Sequence, residues 1–432
     1  MKFFILFLLS CSAAFAGLLD RPAPNLAASN TYNGNFVGRG SSLSNTTSSA
    51  NVRDYGAIGD GTNNDTAAFL SAYQSGRRIY APAGRYSITS LWLTNTTLYG
   101  DGPTTILEAR YQTNLVAILN VYEACIVRDL TLRGSNSFAW GSASATTGIR
   151  YYGLVHDATG PGYVSGCLIS GFDTGILVYG NATSQPRDGD STYIQNSITN
   201  CWNGISLALN NRAEYTRVLG NSVRYCRVGI WNNTSANVLV TANKIIDCTS
   251  WGLWADGDVS TRRGHSLYLG NQINHTGGLK FTGLPYWTFR ENVVLGASIN
   301  TMTIDRCTNG TLAGNQFEFG TAGSLEVVVT NSSGISMTDN MLIANVPLNT
   351  TGSTNITLTG NRLGTTPTWG GIGTYIGVTA ANVLAVKSNN FPTAASIGAN
   401  SCATAYYTNA LMVIHVDAAT NYGTIRVISN GP

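Results

Sequence analysis

The chain has 432 residues, with 48 glycines and only 11% charged residues. Its formal net charge of +3 and the lack of basic runs or nucleic-acid motifs argue against nucleic acid as a partner. After the N-terminus no apolar stretch is long enough to span a bilayer. Abundant Gly, Asn, Thr and Tyr favour an all-β protein built from many short strands and turns.

The N-terminal segment has the pattern of a targeting signal. Residues 1–16 contain the apolar run 3–9 and a small-x-small cleavage site that ends at Ala16. A buried N-terminal strand and a lipoprotein site at Cys11 are the alternatives. We therefore expect a secreted or extracellular protein, with the cell surface or a virion as further locations. Residues 17–50 are rich in Ser, Asn and Gly and predict a linker.

The stretch 51–66 predicts a turn followed by a short helix. Gly56, Gly59 and Gly61 lie in a segment without apolar residues, where the backbone can take positive φ. Asp65 stands at an N-cap position, and the following residues to Ser75 have the 3, 4 spacing of a helix that packs on a core, before Gly76 ends it.

Three segments in this order resemble the start of the pectate-lyase superfamily. They are Asn51-Val-Arg-Asp-Tyr-Gly-Ala-Ile-Gly-Asp-Gly-Thr-Asn-Asn-Asp-Thr66, Tyr80-Ala-Pro-Ala-Gly-Arg-Tyr86 and Leu98-Tyr-Gly-Asp-Gly102. The resemblance implies a single-stranded right-handed parallel β-helix, whose open end the helix would cap, and a polysaccharide as substrate or receptor. It implies no one reaction, because the superfamily contains lyases, hydrolases and epimerases. Phage tailspikes resemble this plan and are trimers, so a homotrimer is a further expectation.

An internal repeat predicts the β-helix independently of the family. An Asn-x-aliphatic element recurs at intervals of 21 to 29 residues, starting at Asn196, Asn221, Asn243, Asn271, Asn292, Asn315, Asn340, Asn361 and Asn390. Such a period is typical of stacked coils. We expect the Asn side chains to occupy left-handed turns and to bond to one another from coil to coil, with the aliphatic residue two positions later pointing inward. About fourteen coils would fill residues 51–392.

Cysteines share one phase of this repeat. Cys201, Cys226 and Cys248 should therefore form a column in the core, at the ~4.8 Å spacing of neighbouring strands. Small buried thiols are the favoured interpretation and disulfides the alternative. Zinc is disfavoured because no two Cys or His residues have ligand spacing.

The C-terminal tail, residues 393–432, has a different pattern. The apolar segments 410–416 and 424–428 are joined through Asn421-Tyr-Gly423 and predict a hairpin. This hairpin would cap the last coil or mediate self-association.

Functional residues should lie where the repeat is interrupted, at 134–162, 181–195 and 254–268. Two interruptions contain an Asp-Gly-Asp motif, which starts at Asp188 and at Asp256. In an extended segment the two Asp Cα atoms are roughly 6.5 to 7 Å apart and point to one side. The alternatives are a surface turn and a Ca²⁺ site, although no complete ligand loop is present and no other cofactor is indicated.

Aromatic and basic residues distinguish the second motif. Trp251, Trp254, Arg262, Arg263 and His265 surround it. Apolar rings on adjacent coils could stack against sugar rings, and the predicted platform also includes Trp231, one coil before Trp254, together with Trp202 and Tyr215. Anchoring of loops or burial at a subunit interface is the other interpretation of these rings.

Two chemistries suit a surface with these carboxylates, basic groups and aromatic rings. A hydrolase would use Asp256 and Asp258 as its acid and base or nucleophile, with Glu214 as a further candidate. A lyase would use Arg262 or Arg263 to neutralise a sugar carboxylate and His265 as the base. The polygalacturonase-like subfamily is disfavoured because Gly264 and His265 are followed by serine. A non-catalytic glycan binder, such as an adhesin or a phage receptor-binding spike, is the rival function.

Overall fold

The computed structural model describes residues 49–110, 117–122, 124–134, 152–157, 162–179, 190–209, 215–233, 236–257, 264–296, 301–319, 326–343, 348–349, 352–359, 361–364, 374–376, 383–387, 396–397, 401–407, 410–416 and 425–429. All of them belong to one unit of the chain, residues 49–432. The predicted signal and most of the predicted linker lie outside the described residues.

Forty of the described strands form three parallel sheets, and between residues 79 and 376 the chain visits them in the order A, B, C on each turn. Sheet A contains β1 (Ala50–Asn51), β3 (Ile79–Ala81), β6 (Thr97–Gly100), β9 (Ile126–Arg128), β12 (Tyr163–Ser165), β15 (Thr192–Ile194), β18 (Arg217–Leu219), β21 (Leu239–Thr241), β24 (Leu267–Leu269), β27 (Thr288–Arg290), β30 (Thr311–Ala313), β33 (Ser336–Thr338), β36 (Ile356–Thr359) and β39 (Val383–Lys387). Sheet B contains β2 (Asp60–Asn64), β4 (Gly84–Ile88), β7 (Thr105–Ala109), β10 (Thr131–Arg133), β13 (Leu168–Ser170), β16 (Ser197–Thr199), β19 (Ser222–Arg224), β22 (Lys244–Ile246), β25 (Gln272–Asn274), β28 (Val293–Gly296), β31 (Gln316–Phe319), β34 (Met341–Ile343) and β37 (Arg362–Gly364).

Sheet C carries the candidate site. Its strands are β5 (Leu91–Thr94), β8 (Ala117–Tyr122), β11 (Tyr152–Asp157), β14 (Thr174–Tyr179), β17 (Asn203–Leu209), β20 (Val228–Asn233), β23 (Trp251–Asp256), β26 (Gly278–Thr282), β29 (Thr301–Asp305), β32 (Glu326–Thr330), β35 (Leu348–Asn349), β38 (Thr374–Ile376) and β40 (Ser396–Ile397). The described strands thus form a parallel β-helix, as the repeat predicted, of the right-handed kind that the resemblance implied. The interruption predicted at 134–162 contains a strand of its own, β11.

Most strands of sheets A and B have three residues, of which the middle one points into the tube. In sheet B, register stacks these middle residues into a buried apolar column of Ile198, Val223, Ile245, Ile273, Val294 and Phe317. They are the aliphatic and aromatic positions predicted two residues after each repeated Asn. Burial of this column from coil to coil supplies the apolar contact that a single coil lacks.

The repeated asparagines form the predicted ladder. At Asn221 the side-chain Nδ2 donates to Asn243 Oδ1 at 3.0 Å and to the carbonyl of Tyr193 at 2.9 Å. The backbone N–H of Asn221 donates to the same Oδ1 at 2.9 Å. The described members are all at most 1% exposed: Asn196, Asn221, Asn243, Asn271, Asn292, Asn315, Asn340 and Asn361.

The backbone at these turns differs from the expectation. Wherever the residue before a ladder asparagine is described, that residue is the left-handed one, for example Gln195, Gly220 and Ala242, with φ of 55°, 61° and 55°. The Asn itself is not among the residues with positive φ. Its side chain points inward instead, where it bonds to backbone groups of the turn that would otherwise be buried without partners.

A single α-helix, α1 (Thr66–Gln74), packs beside the first coils, and two short 3-10 helices, Val52–Tyr55 and Gly102–Thr104, complete the described helical structure. Ala68, Phe69 and Ala72 form its buried face. Asp65 precedes the helix, but it does not cap it as predicted. Its Oδ1 accepts the N–H of Ile58 at 2.7 Å, so this carboxylate holds the preceding loop.

The C-terminal tail contains three strands, β41 (Ser401–Tyr407), β42 (Ala410–Val416) and β43 (Ile425–Ser429), which pair as an antiparallel sheet. Two of them lie in the segments that predicted a hairpin. Of the helices in the described ranges, none is long and apolar enough to cross a membrane.

The cysteines at the shared phase are buried free thiols. Cys201, Cys226 and Cys248 are at most 1% exposed. Burial raises the pKa of the Cys226 thiol, and it raises the pKa of Cys248 to about 12. A thiolate is disfavoured at these positions because the core cannot solvate its charge.

We expect alkaline pH to destabilise the protein through these thiols. Between about pH 9 and about pH 12 the unfolded chain loses the thiol protons while the folded chain keeps them, so the stability falls as the pH rises. Each thiol should contribute at most about 1.4 kcal/mol per pH unit. Urea unfolding midpoints measured from about pH 8 to about pH 10 give the loss of stability per pH unit, and Cys248→Ala should make this loss smaller. A loss unchanged by this variant would contradict the assignment.

Candidate functional site on sheet C

The register of three neighbouring strands brings two indoles and an ammonium into one outward column. Trp231 on β20 pairs with Trp254 on β23, which pairs with Lys280 on β26. The residues before them, Ile230, Leu253 and Leu279, point into the core. Because side chains alternate along a strand, the next residue must then face outward. All three outward side chains are half-buried.

These side chains form a stack. The Trp231 and Trp254 rings are 4.8 Å apart between centroids and inclined by 23°. The ammonium of Lys280 lies 4.4 Å from the centre of the Trp254 ring. Trp251 is tilted against Trp254 by 56°, with centroids 6.4 Å apart, and lies 5.9 Å from the same ammonium. We call Trp231, Trp251, Trp254, Asp256 and Lys280 the tryptophan cluster.

Asp256 accepts both indole N–H groups of the stack. Trp254 Nε1 donates to its Oδ1 at 2.8 Å and Trp231 Nε1 to its Oδ2 at 3.2 Å. Asp256 stands two residues after Trp254 on β23 and therefore faces the same side of the sheet. Its neighbours in register are Asn233 on β20 and Thr282 on β26. The carboxylate is half-buried at the rim of the cluster.

A second carboxylate lies further along the same column. Asp305 on β29 pairs with Thr282, which pairs with Asp256. Burial raises the pKa of the Asp305 carboxyl, but hydrogen bonds from Arg306, Asn331 and Thr330 outweigh burial and lower its pKa overall. At ~4.8 Å per strand, the Cα atoms of Asp256 and Asp305 are roughly 9 to 10 Å apart.

Other residues predicted for the site lie elsewhere on the coils. Trp202 precedes β17, and the guanidinium of Arg227 covers its ring at 4.3 Å. Tyr215 and His265 both occupy left-handed positions just before sheet A strands, with φ of 58° and 62°. The His265 ring stacks on Tyr286, with centroids 5.0 Å apart and 2° between the planes. Tyr215 and His265 thus precede strands of sheet A, whereas the tryptophan cluster lies on strands of sheet C.

Several predicted residues fall outside the described ranges. They are Asp258, Glu214, Arg262 and Arg263, together with Asp188 of the other Asp-Gly-Asp motif. Within the described ranges, no group of three or more His, Cys, Asp or Glu side chains is placed to hold a metal ion.

The sequence analysis missed three residues that lie beside the predicted ones. Lys280 contacts Trp254, Arg227 contacts Trp202, and Asp305 lies in the outward column of Asp256. A signal for Lys280 was present. Gly278-Leu279-Lys280 has the phase of Gly229-Ile230-Trp231 and Gly252-Leu253-Trp254, so aligning the repeat one coil further would have added Lys280 to the column.

Comparison with known proteins agrees with this architecture. Residues 49–253 match the family described as rhamnogalacturonase A/epimerase, pectate lyase-like. This match and the three sheets fit a pectin-lyase-like parallel β-helix. Among curated proteins, none matches the sequence significantly.

Solved structures share the fold at low sequence identity. The Dettilon tailspike protein is 13% identical with a TM-score of 0.51, over 84% of this chain and 75% of that one. The N-terminal fragment of bacteriophage Phi29 gene product 12 is 16% identical with a TM-score of 0.53, over 88% and 73%. The catalytic unit of a GH87 α-1,3-glucanase from Streptomyces thermodiastaticus is 16% identical with a TM-score of 0.52, over 82% and 67%. At this identity the likeness concerns the fold.

Proposed function

We propose that the chain binds an extended glycan along the outer face of sheet C, at the tryptophan cluster. The observation that carries this proposal is the half-buried Trp231–Trp254 stack, with a carboxylate and an ammonium beside it. Indoles supply apolar contact area to the C–H faces of sugars, and a few fixed polar groups orient the hydroxyls. The matched family and the glucanase and tailspike folds support a glycan as the ligand.

Cleavage of the bound glycan is the second candidate function. Asp256 and Asp305 share the outward column, and the spacing of β23 and β29 is close to the carboxyl separations of about 6.5 to 9.5 Å that inverting glycosidases use. Asp258 remains a candidate partner of Asp256, and the lyase set of His265 with Arg262 or Arg263 remains the alternative.

A non-catalytic adhesin or tailspike would use the same aromatic surface without turnover. The predicted N-terminal signal favours action outside the cell.

One assay separates the three functions. The protein is incubated with capsular, pectic, alginate-type and α-glucan polysaccharides, and binding, reducing ends and the ultraviolet absorbance of unsaturated sugars are recorded. Reducing ends with unsaturated product indicate a lyase, and reducing ends alone indicate a hydrolase. Binding without either product indicates a binder. No binding to any member of the panel would contradict the proposed function.

Trp254→Ala tests where the glycan binds. The variant removes the central ring, which contacts Trp231, Lys280 and Asp256, so we expect affinity for the identified glycan to fall at least about tenfold. Trp92→Ala is the matched control, because Trp92 is an exposed indole on β5 of the same sheet, far from the cluster in strand order. A loss of affinity in Trp254→Ala no greater than in Trp92→Ala would contradict binding at the tryptophan cluster.

A further inference from the structure

Asp256 and Lys280 carry opposite charges in one cluster, yet they do not contact each other directly. Asp256 contacts the N–H edge of Trp254, whereas Lys280 covers the face of the same ring. Neither residue occurs in the ion pairs that the described residues form. Both side chains are half-buried, so each charge needs a partner that compensates for lost water.

The Trp254 ring can supply that compensation to both charges. An ammonium over an indole face is attracted by the ring quadrupole. The same ammonium draws electron density from the ring, which makes the N–H a stronger donor to a carboxylate, as happens when hydrogen-bonding groups polarise one another. The indole lies between the ammonium and the carboxylate, and it therefore stabilises the charge of each.

We propose that the charges of Asp256 and Lys280 interact through the Trp254 ring, and that this arrangement holds the Trp231–Trp254 stack in its binding orientation. Asp256 also accepts the N–H of Trp231, so one carboxylate fixes the rotation of both rings. Asp256 is then a positioning residue. The link to glycan affinity rests on the proposed function, whereas the effect on the indoles does not.

Two further observations favour positioning over proton transfer. Both Asp256 oxygens already accept an N–H, and a proton on either oxygen, as a general acid requires, would weaken one of these bonds. Asp305, in the same outward column, accepts from Arg306, Thr330 and Asn331, and within the described part of the chain no indole N–H donates to it. The paired indole contacts are therefore particular to Asp256 and do not follow from its place in the column.

Near-ultraviolet circular dichroism and glycan affinity of the full chain test this inference together. Stacked indoles give a coupled tryptophan signal, which Asp256→Asn and Lys280→Met should each reduce. Glycan affinity should fall about tenfold in each variant, because rings that are free to rotate must be ordered on binding. The double variant should be little worse than either single variant, since both act on one arrangement. Lys280→Arg should keep the signal, because a guanidinium also stacks on aromatic rings.

A control variant, Asp305→Asn, and the separate readings of turnover and affinity distinguish a positioning role of Asp256 from a catalytic one. Asp305→Asn should leave the tryptophan signal unchanged, whatever it does to turnover. The inference fails if Asp256→Asn removes turnover while the signal and the affinity stay at wild-type values, which would make Asp256 catalytic. It also fails if the two single variants act additively. If the wild-type protein binds no glycan, the proposed function fails, and the tryptophan signal still decides whether Asp256 and Lys280 act through the ring.

Discussion

Replacing Asn271 by alanine is expected to destabilise the stacked coils by roughly 3 to 5 kcal/mol. Asn271 Oδ1 accepts from the backbone N and from Nδ2 of Asn243, both at 3.0 Å. Its own Nδ2 donates to Asn292 Oδ1 at 2.9 Å and to the carbonyl of Val240 at 3.0 Å. Alanine removes all four bonds and leaves their partners buried. Each such group costs about 1 to 3 kcal/mol.

Asn274 provides the matched control within the same coil. It points outward from β25 and is half-buried. Asn274→Ala should change the free energy of unfolding by less than about 0.5 kcal/mol. Urea unfolding measures both variants, and hydrogen exchange shows whether protection is lost locally, because coils of a solenoid can open separately. Equal midpoints for the two variants would show that the ladder contributes little.

The ladder also shows what the sequence could establish about the fold. An isolated Asn-x-aliphatic triplet carries little information, but its recurrence at intervals of 21 to 29 residues fixed the phase of each coil. That phase correctly placed the buried Ile198 and Val223 and the column of Cys201, Cys226 and Cys248. The repeat succeeds because every coil must present the same groups to the next one.

Local reasoning was less successful at the turns and the interruptions. Positive φ was assigned to the repeated Asn, whereas the preceding residue adopts it, even where that residue is Gln195 or Ala242. Buried hydrogen bonds of the Asn side chain determine the turn, and the preceding residue accommodates it. In the same way β11 lies in a stretch without the Asn signature, because pairing with β8 and β14 is enough to form a strand.

The candidate site could be predicted only in part, because charge and geometry there depend on neighbours in other coils. The sequence indicated that Trp231 and Trp254 share a phase, but not that Asp256 accepts both of their N–H groups. His265 was grouped with these indoles by proximity in sequence, and Tyr215 as an extension of the same aromatic face. In the structure both residues occupy left-handed positions just before strands of sheet A, whereas the indoles project from strands of sheet C.

The glycines before the inward aliphatic residues allow the coils to stack closely, because they have no Cβ. Gly204, Gly229 and Gly252 start the Gly-aliphatic element in successive strands of sheet C. A Cβ built on Gly229 would lie 2.5 Å from the carbonyl oxygen of Gly252 and 2.5 Å from Ile245 Cγ2. Neither atom can move away easily, since one is backbone in a paired strand and the other belongs to the packed core.

Gly229→Ala should therefore destabilise the protein by roughly 3 kcal/mol, because the added methyl separates two coils directly beneath the tryptophan cluster. Gly270→Ala is the control. Gly270 has φ of +60° and no atom within 4 Å of the position that a Cβ would take, and Ala242 already occupies the equivalent turn one coil earlier with φ of 55°. Its cost should stay near 1 kcal/mol, from backbone strain alone. Thermal or urea unfolding of the two variants measures the difference. A larger loss in Gly270→Ala would mean that turn conformation, not the contact between coils, limits the stability of the β-helix.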